Sequence, residues 1–224
     1  MQSNESSYRS IFKSTFLFGF VQVFNIVMKA AINKETEVSQ MLMKLVSFYR
    51  LSTKVYDSMV AVRKEVEMLD AYMSLMCYRY SDIIYRSEIE PGALDIEIPN
   101  FILQPLLENS LMHGLKDRRY QGTIILKIYR NEQDKNELNI WLIDDGIGIP
   151  DDKMAELNAY NAKDSEALYR VQTRTEGDRT HLGVINVISR LKLYYQENAE
   201  VIYMRNETGG TTVKIKIKTA SEET

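Results

Sequence analysis

Residues 143–150 read Ile143-Asp144-Asp145-Gly146-Ile147-Gly148-Ile149-Pro150, and the fold turns on what lies either side of them. Just upstream, Leu138, Ile140 and Leu142 alternate with Asn139, Trp141 and Ile143. That two-residue period predicts a strand over 137–144 with both faces largely covered. A polar turn over 131–136 joins it to a second expected strand, 123–130. Further upstream, Gln104-Pro105-Leu106-Leu107-Glu108-Asn109-Ser110-Leu111-Met112-His113-Gly114 carries an apolar helical pattern. This helix is expected over 98–114, with Pro99 near its start, Pro105 kinking its first turns and Gly114 as its stop. Downstream, Gly183 opens a helical stretch, His181-Leu182-Gly183-Val184-Ile185-Asn186-Val187-Ile188-Ser189-Arg190-Leu191, expected over 182–195. Gly209-Gly210-Thr211-Thr212 precedes the final strand, 211–218. There Val213, Ile215 and Ile217 face inward and Lys214, Lys216 and Lys218 face water, which reads as an edge strand whose lysines discourage pairing with other chains.

The rest of the chain follows from these anchors. Strands are expected over 84–89, before the turn Glu90-Pro91-Gly92, and over 200–204. The stretch 151–180 is polar, mixed in charge and poor in large apolar residues, with a short helix near 151–160. Placed between two glycine motifs, it reads as a functional loop. The first 83 residues contain no proline and only one glycine, Gly19, and their apolar periodicity predicts helices over 7–32 and 36–51 and a third starting near Met59. The fold class is therefore α+β: an N-terminal antiparallel helical hairpin (1–83), then an α/β two-layer sandwich (84–224) with a mixed sheet and helices on one face.

Composition narrows the function classes. An apolar content of 45% is ample for a packed core, and a net charge of −3 offers no basic stripe for nucleic acid. One cysteine, Cys77, excludes an internal disulfide, and with two histidines it makes a poor zinc set. The most apolar run, 16–28, is interrupted by Gln22 and Asn25 and is too short to span a bilayer, so it reads as a core helix.

Singly, the glycines are turn residues and Asn109 a capping or buried amide. In their order, the four stretches resemble the N, G1, G2 and G3 boxes of the ATP-binding domain of histidine kinases, gyrase-type topoisomerases and mismatch-repair ATPases. The resemblance implies ATP and Mg2+ as ligands, with Asn109, His113, Asp144, Gly146, Gly148, Gly183, Gly210, Thr211 and Thr212 around the nucleotide. The chemistry suits these residue types. The Asn109 amide offers a neutral oxygen to magnesium, which keeps most of its waters and takes few protein ligands. The Asp144 carboxylate can accept the exocyclic amino proton of adenine, which guanine lacks at that position. Gly146 and Gly148 let backbone approach a base, and Gly183 at a helix start lets N–H groups face phosphate oxygens. The loop over 151–180 would then be a lid.

The resemblance reaches upstream and covers about 11–218. Leu45-Val46-Ser47-Phe48-Tyr49-Arg50-Leu51 is similar to the "LSxLLRYSL" region of sensor histidine kinases of the autolysin-regulator and carbohydrate-sensor group. Residues 62–80, with Glu65-Val66 and Ala71-Tyr72-Met73, resemble that group's "LEEELEHIRNYLEIQKIRF" helix. The resemblance implies a homodimer through the N-terminal helices, with Phe16, Phe20, Val23 and Val27 on the shared face. It also implies a response regulator or partner kinase as partner, and a cytoplasmic position in a longer bacterial protein anchored in the membrane by a region absent here. A topoisomerase or mismatch-repair ATPase is the poorer match, because those ATP domains usually lead the chain.

Two departures bear on activity. Where the group carries the phosphoacceptor histidine in an "NPHFLYN"-like run, this chain has Lys13-Ser14-Thr15-Phe16-Leu17-Phe18-Gly19, with Thr15 at the histidine position. The only histidines are His113 and His181, both inside the nucleotide motifs. Imidazole is largely neutral and nucleophilic near pH 7, whereas a threonine hydroxyl needs a strong base beside it. Met112 stands where many relatives place a lysine near the phosphates. By resemblance Glu108 is the candidate general base; otherwise it is a helix-surface carboxylate or a salt-bridge partner. These residues predict an ATP–Mg-binding sensor-kinase module degenerate for autophosphorylation, or a non-enzymatic pseudokinase that signals by binding or dimerisation.

Overall fold

The computed structural model describes residues 58–163, 168 and 179–219, with only the backbone described over 179–182. Thr15, the helices expected over 7–32 and 36–51, the dimer face and most of the expected lid lie outside the described residues.

A five-stranded mixed sheet forms the frame, in the order β2-β4-β5-β7-β6. Its strands are β2 (Ile83–Ile89), β4 (Gly122–Arg130), β5 (Glu137–Asp144), β6 (Ala199–Arg205) and β7 (Thr211–Lys218). Only β2 and β4 pair in parallel; every other neighbour is antiparallel. A separate two-stranded ribbon joins β1 (Met59–Ala61) to β3 (Glu97–Pro99). The helices are α1 (Val62–Arg79), α2 (Leu103–Asn109), α3 (Asp151–Ala159) and α4 (Arg179–Tyr195).

The two-residue period of the strands sends Leu126, Ile128, Leu138, Ile140, Val213, Ile215 and Ile217 into one core beneath the helices. Leu69, Leu75, Leu107 and Leu111 fill it from above, fully buried, each stabilising the fold by about 1.5–3 kcal/mol relative to exposure. Residues of α1 belong to this same core, so the third helix packs with the sheet it precedes.

Four details depart from the sequence reading. The helix expected from residue 98 begins at Leu103, because Glu97–Pro99 pairs with β1 instead. Pro105 therefore falls in the first helical turn, where its missing N–H would have had no intrahelical partner, and it need not kink the helix. Gly114 does not stop the helix: the chain widens into a π turn over Ser110–Leu115 and a 3-10 turn over Lys116–Arg118. The last strand is not an edge. β7 lies between β5 and β6, and its outer lysines are engaged, Lys214 above the Trp141 ring at 4.1 Å and Lys216 3.7 Å from Glu137. On that outer face Glu137 and Asn139 are buried and Trp141 and Ile143 half-buried, so both faces of β5 are largely covered, as expected.

The edge at β6 is closed by α3 and the 3-10 turn Tyr160–Ala162 that follows it. Asn158 Nδ2 donates to Tyr203 O (2.9 Å) and its Oδ1 accepts from Tyr203 N (2.8 Å). Asn161 does the same to Val201, accepting its N–H at 3.0 Å. Two side-chain amides thus stand in for a neighbouring strand, which removes an exposed template for association.

Candidate functional site

β5 delivers Asp144 to the end of the sheet, where it is 3% exposed and accepts from three donors. Its Oδ1 accepts from Gly146 N (3.0 Å) and Thr211 N (3.2 Å), and its Oδ2 accepts from Ser110 Oγ (2.8 Å). Burial raises the Asp144 pKa above the usual aspartate value; the bonds from Ser110, Thr211 and Gly146 oppose that rise. A carboxylate oxygen has two lone pairs. The protein fills both on Oδ1 and one on Oδ2, leaving one acceptor position.

Backbone packs around this carboxylate with no room for side chains. A Cβ at Gly146 would lie 2.5 Å from Gly114 O and 2.6 Å from Gly114 Cα. A Cβ at Gly210 would run into Asp144 O and come within 2.8 Å of Asp145 Cα. Gly114 itself presses on Asp144, its virtual Cβ 3.1 Å from Oδ1, and Ile147 N donates to Gly114 O at 3.0 Å. Gly148 adopts φ +76°, next to Gly209. Asn206 Nδ2 donates to Asp144 O (2.7 Å) and Asn206 N to Gly210 O (3.1 Å), which ties the β6–β7 turn to the end of β5. The stretches 104–114, 143–150 and 209–212 therefore meet within hydrogen-bonding distance of one another.

Asn109 closes α2, half-buried, and is the residue before the Ser110 that holds Asp144. Glu108 is also half-buried; Gln104 Nε2, one turn earlier, donates to its Oε1 at 2.9 Å, and burial raises its pKa. His113 is exposed on the π turn. π turns widen the helical register and recur at functional sites; this one lays Gly114 against Asp144. Thr211 and Thr212 are buried at the start of β7.

Gly183 lies on the other flank. A Cβ there would be 3.7 Å from Pro105 Cβ, so α4 runs beside the first turn of α2. Pro105 is four residues before Asn109, about 6 Å along a helix. Gly183 does not open α4, as the sequence reading has it. The helix runs from Arg179, since Arg179-Thr180-His181-Leu182 contains no breaker, and Gly183 lies about a turn inside it.

Three contributors were not singled out in the sequence. Ser110 is one; a serine following Asn109, 34 residues before an aspartate, carries no spacing signal. Asn206 is another, a turn asparagine of ordinary type. Arg118 donates to Asp145 O and lies 3.6 Å from Asp145 Oδ1, putting a cation at the rim. Met112 Sδ accepts from Tyr120 Oη (3.8 Å), and the Tyr120 ring stacks on Tyr80 with centroids 3.8 Å apart. That position packs rather than supplying charge. Among the described residues no three His, Cys, Asp or Glu side chains gather as a metal-binding group, and no helix is long and apolar enough to cross a membrane.

Residues 95–221 match the family described as histidine kinase-, DNA gyrase B-, and HSP90-like ATPase, and residues 9–84 match the histidine kinase family. Sensor protein LytS of Oceanobacillus iheyensis is 30% identical over 201 residues, which is 89% of this chain and 32% of that protein. Sensor protein LytS of Staphylococcus saprophyticus is 27% identical over 144 residues, 63% of this chain and 23% of that one. The chain thus spans a third or less of these relatives. Among solved structures, the histidine kinase domain of the Erythrobacter litoralis blue-light-activated kinase covers 83% of this chain and 76% of its own, with TM-score 0.46 and 17% identity. The catalytic domain of histidine kinase ThkA covers 73% and 97%, with TM-score 0.49 and 12% identity.

Proposed function

Because the chain belongs to the histidine kinase-, DNA gyrase B-, and HSP90-like ATPase family, and is an ATP-binding module of the sensor histidine kinase type, we propose how it holds its nucleotide and what it can no longer do with it. Asp144 accepts the amino group of adenine at the one open acceptor position on Oδ2. Gly146, Gly148 and Gly210 keep that edge of the pocket thin enough for the base to reach the carboxylate. Thr211 and Thr212 form its floor. The Asn109 amide would hold a magnesium ion, offering it a neutral oxygen. When bound, the ion supplies the countercharge that the phosphates need. His113 and the first turn of α4, with Gly183 behind it, form the phosphate side. The observation that carries this reading is the convergence of Ser110, Gly146 and Thr211 on one buried carboxylate with one acceptor position to spare.

The module does not phosphorylate itself on histidine. Its two histidines both lie in the nucleotide motifs, and Thr15 stands where the acceptor belongs. Glu108, poised by family resemblance as the general base, has a raised pKa and no imidazole to orient. The function that remains is nucleotide-dependent signalling to a partner through a helical dimer, from the cytoplasmic side of a longer membrane-anchored protein. Members of the family signal to response regulators, and a regulator or a partner kinase is the expected recipient.

The test is incubation with γ-labelled ATP and magnesium, run beside Thr15→His with Gly19→Asn. The native chain should stay free of acid-labile phosphate while its melting temperature rises with Mg-ATP, and the restored chain should take up label. Label on native His113 or His181 contradicts the degenerate reading. Absence of a thermal shift contradicts nucleotide binding.

A further inference from the structure

α1 carries a carboxylate that the nucleotide site does not use. Glu65 is 2% exposed, an unusual place for a glutamate unless it is bonded. Its Oε1 accepts from Phe101 N at 2.7 Å, and its Oε2 accepts from Ile102 N and Leu103 N, both at 3.2 Å. These N–H groups are at the mouth of α2, the helix that ends in Glu108 and Asn109. No side chain of α2 or its flanks caps that end, and Phe101 is at φ +56°, a backbone angle that a bulky residue seldom adopts unless it is held. The contact is reciprocal. Val62 N donates to Ile96 O and Arg63 N to Leu94 O, both at 2.9 Å, so the segment before α2 caps the start of α1. From the other side, Arg190 of α4 donates through Nη1 to Asn100 O and to Asn100 Oδ1, the latter at 2.8 Å. Burial raises the Glu65 pKa above the usual glutamate value; the N–H groups of Phe101, Leu103 and Ile102, and the Arg190 charge, oppose that rise. Three elements therefore meet at residues 100–103: the helix arriving from the N-terminal segment, the helix bearing Asn109, and the helix bearing Gly183.

We infer that Glu65 is a positioning residue for the nucleotide site: by gripping the N–H groups of Phe101, Ile102 and Leu103 it sets the rotation and axial height of α2, and with them the Asn109 amide and the Ser110 hydroxyl on Asp144. α2 is short, seven residues, so an error at its mouth reaches its far end within two turns. It follows that nucleotide affinity depends on a residue that touches no nucleotide, in the first turn of the helix that follows β1. This rests on the nucleotide reading above.

The experiment compares the full chain with Glu65→Ala, Glu65→Gln and, as a destabilised control, Leu138→Ala. Leu138 is fully buried at the end of β5 remote from Asp144, opposite Arg130 and Ile217. Mg-ADP affinity is measured by calorimetry well below every melting temperature, together with hydrogen exchange at residues 101–103 and 109–111. Glu65→Ala should weaken Mg-ADP at least tenfold and speed exchange at both sets. Glu65→Gln, which keeps one acceptor oxygen, should recover part of the affinity, and Leu138→Ala should melt lower yet bind as the native chain does. If Glu65→Ala does not fold, Glu65→Gln alone decides, with a threefold or greater loss expected. Native affinity in the folded Glu65 variants overturns the inference and leaves the nucleotide reading intact. No binding by the native chain overturns both.

Discussion

Asp144→Asn separates holding the fold from reading the base. The substituted amide can satisfy every partner that Asp144 has now. Its oxygen takes the Oδ1 place and accepts from Gly146 N and Thr211 N. Its nitrogen takes the Oδ2 place and donates to Ser110 Oγ, whose hydroxyl reverses to accept. Burial raises the aspartate pKa, so at neutral pH the native side chain is ionised at a cost the neutral amide avoids. Folding stability at pH 7 should therefore stay within about 1 kcal/mol of native or exceed it.

Binding is another matter. The one open position now presents an N–H to an adenine amino group. The lost bond to a charged acceptor is about 1.5–3 kcal/mol, and two facing donors add to it. At 1.4 kcal/mol per tenfold, ATP affinity should fall by about 10–100-fold or more. GTP, with an acceptor at that ring position, should lose nothing there and should bind more tightly than to the native chain. Calorimetry with both nucleotides, together with chemical denaturation, reads all three quantities.

The pH dependence supplies a fourth quantity. A folded-state pKa above the unfolded value means the folded protein binds the proton more tightly. The group's contribution is then fullest below the unfolded value and is lost as pH rises through the folded one. Native stability should accordingly gain on the variant as pH falls from 7 towards 4. A variant that binds ATP as well as native, or one that loses binding only because it unfolds, refutes the reasoning.

Other substitutions test neighbouring parts. Gly146→Ala forces a methyl to within 2.5 Å of Gly114 O, so thermal denaturation should register a loss of about 2 kcal/mol or more, with nucleotide binding abolished. Ser110→Ala leaves Asp144 with backbone donors only; a destabilisation of about 1.5–3 kcal/mol is expected in urea titration, with a higher apparent Asp144 pKa by NMR titration. Asn158→Ala with Asn161→Ala strips the amides from the β6 edge. Each should cost about 1–3 kcal/mol, and light scattering should reveal concentration-dependent association of the pair.

Much of this architecture could be read from the residues because the signals were local. Alternation along 137–144 and 211–218 fixed strands whose core-facing residues are those the period names. The glycine motifs around Gly146 and Gly210 fell at strand ends, where close backbone approach demands them. What escaped was long-range. No pattern within 97–99 reveals that three residues will pair with 59–61 and delay a helix to Leu103. Lysines alternating with valine and isoleucine fit an edge or the open face of an inner strand equally, and only the sheet order decides between them. The site was legible where backbone geometry requires glycine, as at Gly146 and Gly210. It was silent where a common residue acts through distant partners, as Ser110 does on Asp144 and Glu65 on Phe101–Leu103.

Amide chemical-shift mapping with Mg-ADP on the isotopically labelled chain puts the central claim to the most direct test. The account predicts saturable shifts at Asn109, Ser110, Gly114, Gly146 and Thr211, with lesser ones near Gly183, and none on the outer sheet face around Trp141 and Lys214. Shifts gathered around Trp141, or a spectrum unmoved by millimolar nucleotide, would contradict it.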